Sequence, residues 1–358
     1  MTSEIKIQNT EKSRISELDF ANIPFGKVFA DHMFVADFDG QKWKNFEICP
    51  LHKIQFHPAT MAWHYGQAIF EGMKAGISDE GMPLLFRPYK HAQRLNISAV
   101  RMCMPEFPVD TFVEALKELV WMDKSWIPQE EESALYIRPV MMATDEFVGV
   151  RSSDTFKLMI MNLPSGPYYN KPISLFAAEK YVRAAEGGVG YAKAAGNYGA
   201  SLYPTKLAKE KGYDQMMWMD AKEFKYVQEV GTMNIFFVLK DKILTPDLTG
   251  GTILDGVTRD SVIQILREKG HLVEEKHVSL EEIAQASING NLIEVFGTGT
   301  AAVIAHVERI GYHGKDITLN PENWNLSRML KSEINGIRKG RVKDIHNWIV
   351  PVKQSVEA

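Results

Sequence analysis

Between residues 215 and 244 the chain passes through four apolar, strand-forming segments with almost nothing between them. These are 215–219, 225–228, 234–239 and the pair Ile243-Leu244, the last two separated only by Lys240-Asp241-Lys242. A parallel crossover needs a dozen or more residues, so connections this short demand antiparallel pairing. Strands and helices are grouped elsewhere too. Segments 29–38 and 43–48 read as strands joined by an Asp39-Gly40 hairpin turn. Further strands are predicted at 84–86, 134–142, 155–163, 173–178 and 292–296. Pro88 opens a helix with Ala92, Leu95, Ala99 and Met102 on one apolar stripe. A second helix starts near Asp110, with Phe112, Val113, Leu116, Leu119 and Val120 inward. A third spans 259–269 and is closed by Gly270. Ser279-Leu-Glu-Glu282 is a capping box that opens a fourth, and 327–338 forms a C-terminal helix. The amphipathic segment from Asn197 to Gly212 contains Pro204, which predicts a kink or a later start. Grouped strands and grouped helices mean an α+β fold rather than repeated βαβ units.

A chain of 358 residues corresponds to roughly two domains. The stretch 163–172 carries Pro164, Gly166, Pro167 and Pro172 and is the natural place for a linker. The expected division is a flexible segment 1–20, a smaller N-terminal domain 21–168, a linker 169–176 and a larger domain 177–358. The net charge of −4 argues against nucleic acid or anionic membrane as partners. No apolar run approaches the roughly 18 residues that span a bilayer. Cys49 and Cys103 fit neither a CxxC nor a disulfide framework, which suits a reducing compartment. The first 20 residues have no apolar signal core and carry Glu4, Glu11, Glu17 and Asp19. The expectation is a cytoplasmic protein. The ten histidines show no metal-ligand spacing, so no metal is expected.

Three Gly/Thr-rich elements in the second half carry candidate chemistry. In Glu186-Gly-Gly-Val-Gly-Tyr-Ala-Lys193-Ala-Ala-Gly-Asn-Tyr198-Gly, glycines let the backbone approach a ligand around one lysine. Small apolar neighbours would desolvate that lysine and favour Schiff-base chemistry. Taken alone, the segment reads first as a flexible surface loop with a solvated lysine. Ile253-Leu-Asp-Gly256-Val257-Thr258 opens a helix whose N–H groups and hydroxyl suit a phosphate, or are plainly capped. Phe296-Gly-Thr-Gly-Thr300-Ala-Ala follows a strand and forms either a second anion nest or a tight glycine turn. Two such elements beside one apolar-flanked lysine point to a phosphorylated carbonyl cofactor, and pyridoxal phosphate fits that description. Tyr136 and Arg138 lie two apart on a predicted strand, so they share a face and can hold a carboxylate. Arg94 lies off the apolar stripe of its helix, and periodicity alone reads it as solvated.

Together these segments resemble the branched-chain-amino-acid aminotransferases, fold-type IV enzymes that use pyridoxal 5'-phosphate. The similarity covers nearly the whole chain. It rests on WHYGQAIFEGMKAG, FRPYKHAQRL, ALYIRPV, YVRAAEGGVGYAKAAGNYG, QEVGTMNIFFV, ILDGVTRDSV and EVFGTGTAAV in that order. The resemblance implies that Lys193 forms the Schiff base and shuttles the proton. It implies that Glu229 faces the pyridine nitrogen and that Tyr198 bonds the ring's phenolic oxygen. Arg94 would pair with the phosphate, overriding the solvated reading. Thr232, Gly256, Val257, Thr258 and Thr300 would complete the cofactor site, with Arg183 nearby. For substrate, it implies that Tyr136, Thr300 and Ala301 hold the α-carboxylate and that Arg138 helps accept glutamate's distal carboxylate. Phe25, Tyr65, Phe70 and Tyr168 would line an apolar pocket. Tyr65, Val148 and Val150 would reach the neighbouring subunit's site, so a homodimer or larger homo-oligomer is implied. Ordinary core packing is the alternative for Phe25, Phe70 and Val148. Some vertebrate members carry a CxxC after the Gly-Thr-Gly-Thr loop, where this chain has Ala302 and Ala305. The expected reaction moves the amino group of leucine, isoleucine or valine to 2-oxoglutarate. D-amino-acid aminotransferases and aminodeoxychorismate lyases, which share the lysine and phosphate cup, are the rivals.

Overall fold

The computed structural model describes residues 4–353. The chain divides into two compact units. The first takes the residues up to Tyr168, the short insert Ala192–Ala195 and the chain from Asn335 onward. The second takes Tyr169–Tyr191 and Gly196–Ile334.

The first unit begins with β1 (Lys6–Ile7), β2 (His32–Phe38), β3 (Trp43–Pro50), α1 (Met61–Tyr65), β4 (Ala68–Phe70), β5 (Met73–Ile77) and β6 (Pro83–Phe86). Then come α2 (Pro88–Arg101), α3 (Val109–Met122), β7 (Ala134–Ala143) and β8 (Phe156–Ser165). The strands form one sheet in the order β1-β3-β2-β8-β7-β5-β6, with β4 against β7. Its pairings are antiparallel except β1 on β3. All five inward residues expected on α3 are buried, as are Ala92, Leu95 and Ala99 of α2. All of these except Val113 pack with Phe34, Ile48, Phe107, Trp126 and Ile160 into one core. Burial of each such large side chain is worth about 1.5–3 kcal/mol.

Of the segment 1–20 expected to be flexible, residues 1–3 lie outside the described residues, and the rest makes specific contacts with the first unit. Lys6 and Ile7 pair with Glu47 and Ile48. The Asp31 carboxylate then accepts the Ser13 hydroxyl and the Arg14 backbone N–H.

The second unit contains β9 (Ile173–Ala177), most of α4 (Ala195–Glu210), β10 (Gln215–Met219), β11 (Tyr226–Val230), β12 (Asn234–Leu239) and β13 (Ile243–Pro246). It continues with α5 (Val257–Glu268), β14 (Val273–Lys276), β15 (Val278–Ser279), α6 (Leu280–Ile288), β16 (Leu292–Gly299), β17 (Val303–Tyr312) and β18 (Lys315–Thr318). Helix α7 (Asn325–Arg338) leaves this unit at Ile334, and β19 (Ile349–Pro351) joins the first sheet beside β6. The chain from Asn335 therefore packs with the first unit, which makes that unit the longer of the two. The segment 169–176 also differs from a linker, because it enters β9 with Ile173 and Leu175 fully buried.

The sheet order is β14-β13-β12-β16-β17-β9-β10-β11-β15, with β18 on β17. The pairs β10·β11 and β12·β13 are antiparallel, as short turns require. The step from β11 to β12 differs. Four strands stand between them in the sheet, yet only Gly231, Thr232 and Met233 join them. Three residues reach about 10 Å, far short of five strand spacings of about 4.8 Å. The sheet must therefore curl until these strands approach, and an isolated bridge between Val230 and Met233 marks the closure. Helix α4 runs unbroken through Pro204 to Glu210, neither starting late nor ending at the proline.

Candidate active site

In the first unit the Lys193 segment is not a free loop. Its backbone N–H donates to the buried Ser98 hydroxyl of α2 at 2.9 Å, and its carbonyl accepts the Phe70 N–H at 3.1 Å. Ala194 bridges to Ile69. The lysine is thus sewn to β4 and α2, with its side chain half-buried. Its Nζ lies 4.7 Å from the centre of the Phe70 ring. The Arg138 guanidinium lies 4.8 Å from the same ring and 5.2 Å from that of Tyr136. Arg138 donates to the Tyr136 hydroxyl at 2.9 Å, and its Nε is buried without a hydrogen-bond partner. Phe25 stands edge-on to Tyr136 at 5.3 Å and to Tyr168 at 5.1 Å. Six of the residues singled out in the sequence thus meet around one ring system. Phe25 is 36% exposed, so it is not a core residue.

Arg94 corrects the reading from periodicity, because it is 5% exposed. Its Nε and Nη2 donate to both oxygens of Glu71, at 2.7 and 2.9 Å, and His91 Nδ1 lies 2.9 Å from Glu71 Oε2. Burial by itself would raise the Glu71 carboxyl, but the Arg94 charge and its hydrogen bonds outweigh it and hold it well below the usual range. Burial pushes His91 down, against the pull of Glu71. A carboxylate at the end of β4 explains why an arginine off the apolar stripe turns inward.

Tyr65, Val148 and Val150 stand at the surface, Val148 63% and Val150 87% exposed. The Tyr65 hydroxyl donates to the Val148 carbonyl. Asp145 ties down this loop by accepting the Asp154 and Thr155 N–H groups and the Thr155 hydroxyl.

In the second unit Glu229 of β11 is 3% exposed. Arg183 Nε sits 2.9 Å from one carboxylate oxygen, and the Leu254 N–H donates to the other at 2.6 Å. Arg183 also donates to the Thr252 and Gly190 carbonyls, which pins the glycine-rich segment. Asn234 Nδ2 holds the Leu254 carbonyl at 3.0 Å. Leu254 is gripped on both sides, so Glu229 and the start of α5 are fixed to one residue. Helix α5 starts at Gly256, which offers no side-chain cap, and Thr258 in its first turn is buried. A Cβ at Gly256 would fall 1.9 Å from Asn234 Oδ1, so only glycine fits there. Thr300 and Ala301 form the turn between β16 and β17. The exposed Thr232 lies alongside, with its carbonyl 3.8 Å from where a Gly299 Cβ would stand. Tyr198 is half-buried in the first turn of α4.

Sequence reasoning missed Glu71, His91, Ser98 and Asn234. Glu71 left a signal, as a lone acid inside an apolar strand run. Ser98 stands four residues after Arg94, on the same helix face.

A fold with a lysine anchored on a helix and strand, and a buried carboxylate locked to a glycine-started helix, defines a class. The amino-transferase class IV family model matches residues 68–310, and the chain belongs to that family. Over its full length it is 42% identical to branched-chain-amino-acid aminotransferase 2 of Bacillus subtilis, spanning 99% of that protein. It is 45% identical to branched-chain-amino-acid transaminase 1 of the same organism, over 93% of this chain and 95% of the other. Among solved structures, the Escherichia coli branched-chain amino acid aminotransferase matches with a TM-score of 0.73 at 26% identity, over 90% of this chain and 99% of that one. The enzyme of the same name from Thermobaculum terrenum, in PLP holo form, matches with a TM-score of 0.74 at 26% identity, over 91% and 99%. The fold is the α+β, fold-type IV architecture of these enzymes.

Proposed function

We infer that this chain is a branched-chain-amino-acid transaminase, moving the amino group of L-leucine, L-isoleucine or L-valine reversibly to 2-oxoglutarate. The residues present fit pyridoxal phosphate: one anchored amine, one buried carboxylate, a half-buried phenol and a helix start without a side-chain cap. When bound, the cofactor supplies a carbonyl for the amino group and a ring that draws electrons from the substrate Cα.

Lys193 holds the cofactor and then carries the proton at Cα, since its Nζ sits on the Phe70 ring in half-buried surroundings. Glu229 receives the ring N–H, and Arg183 and Leu254 orient its carboxylate. Tyr198 donates to the ring oxygen, and Thr232 contributes to the cofactor site. Arg94, Gly256, Val257, Thr258 and Thr300 bind the phosphate. Tyr136, Thr300 and Ala301 orient the α-carboxylate. Phe25, Phe70 and Tyr168 exclude water around the substrate side chain, and Arg138 accepts glutamate's distal carboxylate. One methylene in such a pocket is worth about 1–3 kcal/mol, so all three branched-chain substrates are accepted. The observation that carries this reading is Arg138 beside Lys193 over one aromatic ring, with an unspent buried Nε.

We also propose a homodimer or larger homo-oligomer, in which Tyr65, Val148 and Val150 complete the partner's pocket, working in the cytoplasm. Two unpaired cysteines, and no helix among the described residues long and apolar enough to cross a membrane, support that compartment. The test of the function is colour. The purified protein should absorb in the visible, bleach with L-leucine and recover with 2-oxoglutarate. A colourless protein that pyridoxal phosphate cannot reconstitute would contradict it, and bleaching by D-alanine but not L-leucine would favour the D-specific rival.

A further inference from the structure

The second unit holds a cavity of about 420 Å³ that no step of transamination uses. Gln228, of β11, lines it. Side chains alternate along a strand, so Gln228 and its neighbour Glu229 leave β11 on opposite faces. Gln228 is 7% exposed, and its Oε1 is buried without a hydrogen-bond partner. Buried amide oxygens are rarely left unpaired, because nothing then repays their lost water. The missing partner is a donor.

The walls say what kind of donor. Tyr226 and His277 form an aromatic side, their rings 5.4 Å apart, and Pro246 and Ile253 form an apolar one. The charged lining comprises four carboxylates, on Glu186, Asp220, Glu223 and Asp247, against the lysines Lys222 and Lys276. Both lysines are already engaged, Lys222 with Glu186 at 2.7 Å and Lys276 with Glu282 at 2.9 Å. Asp220 is saturated by the backbone N–H groups of residues 222, 223, 225 and 226. That leaves Glu223 and Asp247 facing the cavity; Asp247 Oδ1 accepts from the Thr249 N–H and hydroxyl, its Oδ2 has His277 at 3.5 Å, and the Arg259 charge also acts on it. An anion finds no free cation here, while a cation finds carboxylates, an aromatic face and an amide acceptor.

We propose that this cavity binds a small planar cation with N–H donors, an amidinium or guanidinium on an apolar body. One N–H is accepted by Gln228 Oε1, and the charge is faced by Glu223 and Asp247. Benzamidine is the probe, with the isosteric anion benzoate as control, titrated calorimetrically into the holoenzyme. Benzamidine should bind at one site per chain and leave the visible absorption unchanged. Gln228→Leu, which removes the acceptor at similar volume, should weaken it at least tenfold. Glu223→Lys, at an exposed side chain, should weaken it too, so the outcome does not hang on one variant folding. Absence of binding at millimolar benzamidine, equal binding of benzoate, or unchanged affinity in Glu223→Lys would overturn the proposal. The binding heat is read independently of turnover, so its failure is distinct from failure of the transaminase reading on which the holoenzyme rests.

Discussion

Glu71 shows how a single residue organises the first unit. It closes β4, takes both oxygens' worth of hydrogen bonds from Arg94 and lies within reach of His91. Breaking a buried ion pair by removing one charge costs about 3–5 kcal/mol. Glu71→Gln should therefore lower the stability measured by urea unfolding by roughly that amount, and weaken cofactor retention through a misplaced Arg94. The pH dependence has a definite sign. The folded carboxyl titrates below its ordinary value of 4.5, so its contribution is complete above that value and is lost as pH falls through the lowered folded one. The difference between wild type and Glu71→Gln should shrink on acidification below about pH 4, and a difference that grows instead would refute the assignment. The proposed role of Lys193 had a local signal in its glycines and small neighbours, whereas that proposed for Glu229 rests on motif order alone. No local pattern reveals that Arg94 meets Glu71, because 23 residues and a strand-to-helix connection separate them.

At the scale of elements, α5 carries the argument. Its start at Gly256 is fixed by Asn234 and Leu254, and Leu254 is fixed in turn by Glu229. Gly256→Ala would drive a Cβ into Asn234 Oδ1 and break its bond to the Leu254 carbonyl. Losing one buried hydrogen bond costs about 1–3 kcal/mol. The dissociation constant for pyridoxal phosphate, from fluorescence titration, should rise roughly tenfold or more, while unchanged affinity would mean that the helix start does not bind phosphate. Helices with clear stripes, the Ser279 capping box and the 215–244 strands were all readable, because their information is local. The short strands β4, β14 and β19 were not, since each is stabilised by a neighbour far along the chain rather than by its own pattern, and β5 and β18, which form hairpins with β6 and β17, are too short to show a pattern of their own. The path from β11 to β12 misled for the same reason: the turn is local, but the sheet closure that separates the strands is not.

At the scale of the whole molecule, the apolar residues left at the surface need an explanation. Trp63, Tyr65, Phe147, Val148 and Val150 are each between 40% and 87% exposed, in two segments of the first unit that the Tyr65–Val148 hydrogen bond joins. Such residues mark an interaction surface, and a second copy of this chain is its proposed occupant. Val150→Asp should shift the protein to monomer in sedimentation velocity at micromolar concentration and reduce turnover with it. A variant that stays dimeric would remove Val150 from the interface. The claim on which everything else rests is that Lys193 holds the cofactor. Borohydride reduction of the C=N bond, followed by peptide mass mapping, tests it most directly. The account predicts a phosphopyridoxyl mass on the peptide containing Lys193, and none in Lys193→Ala. A label on any other lysine, or an undiminished label in that variant, would contradict it.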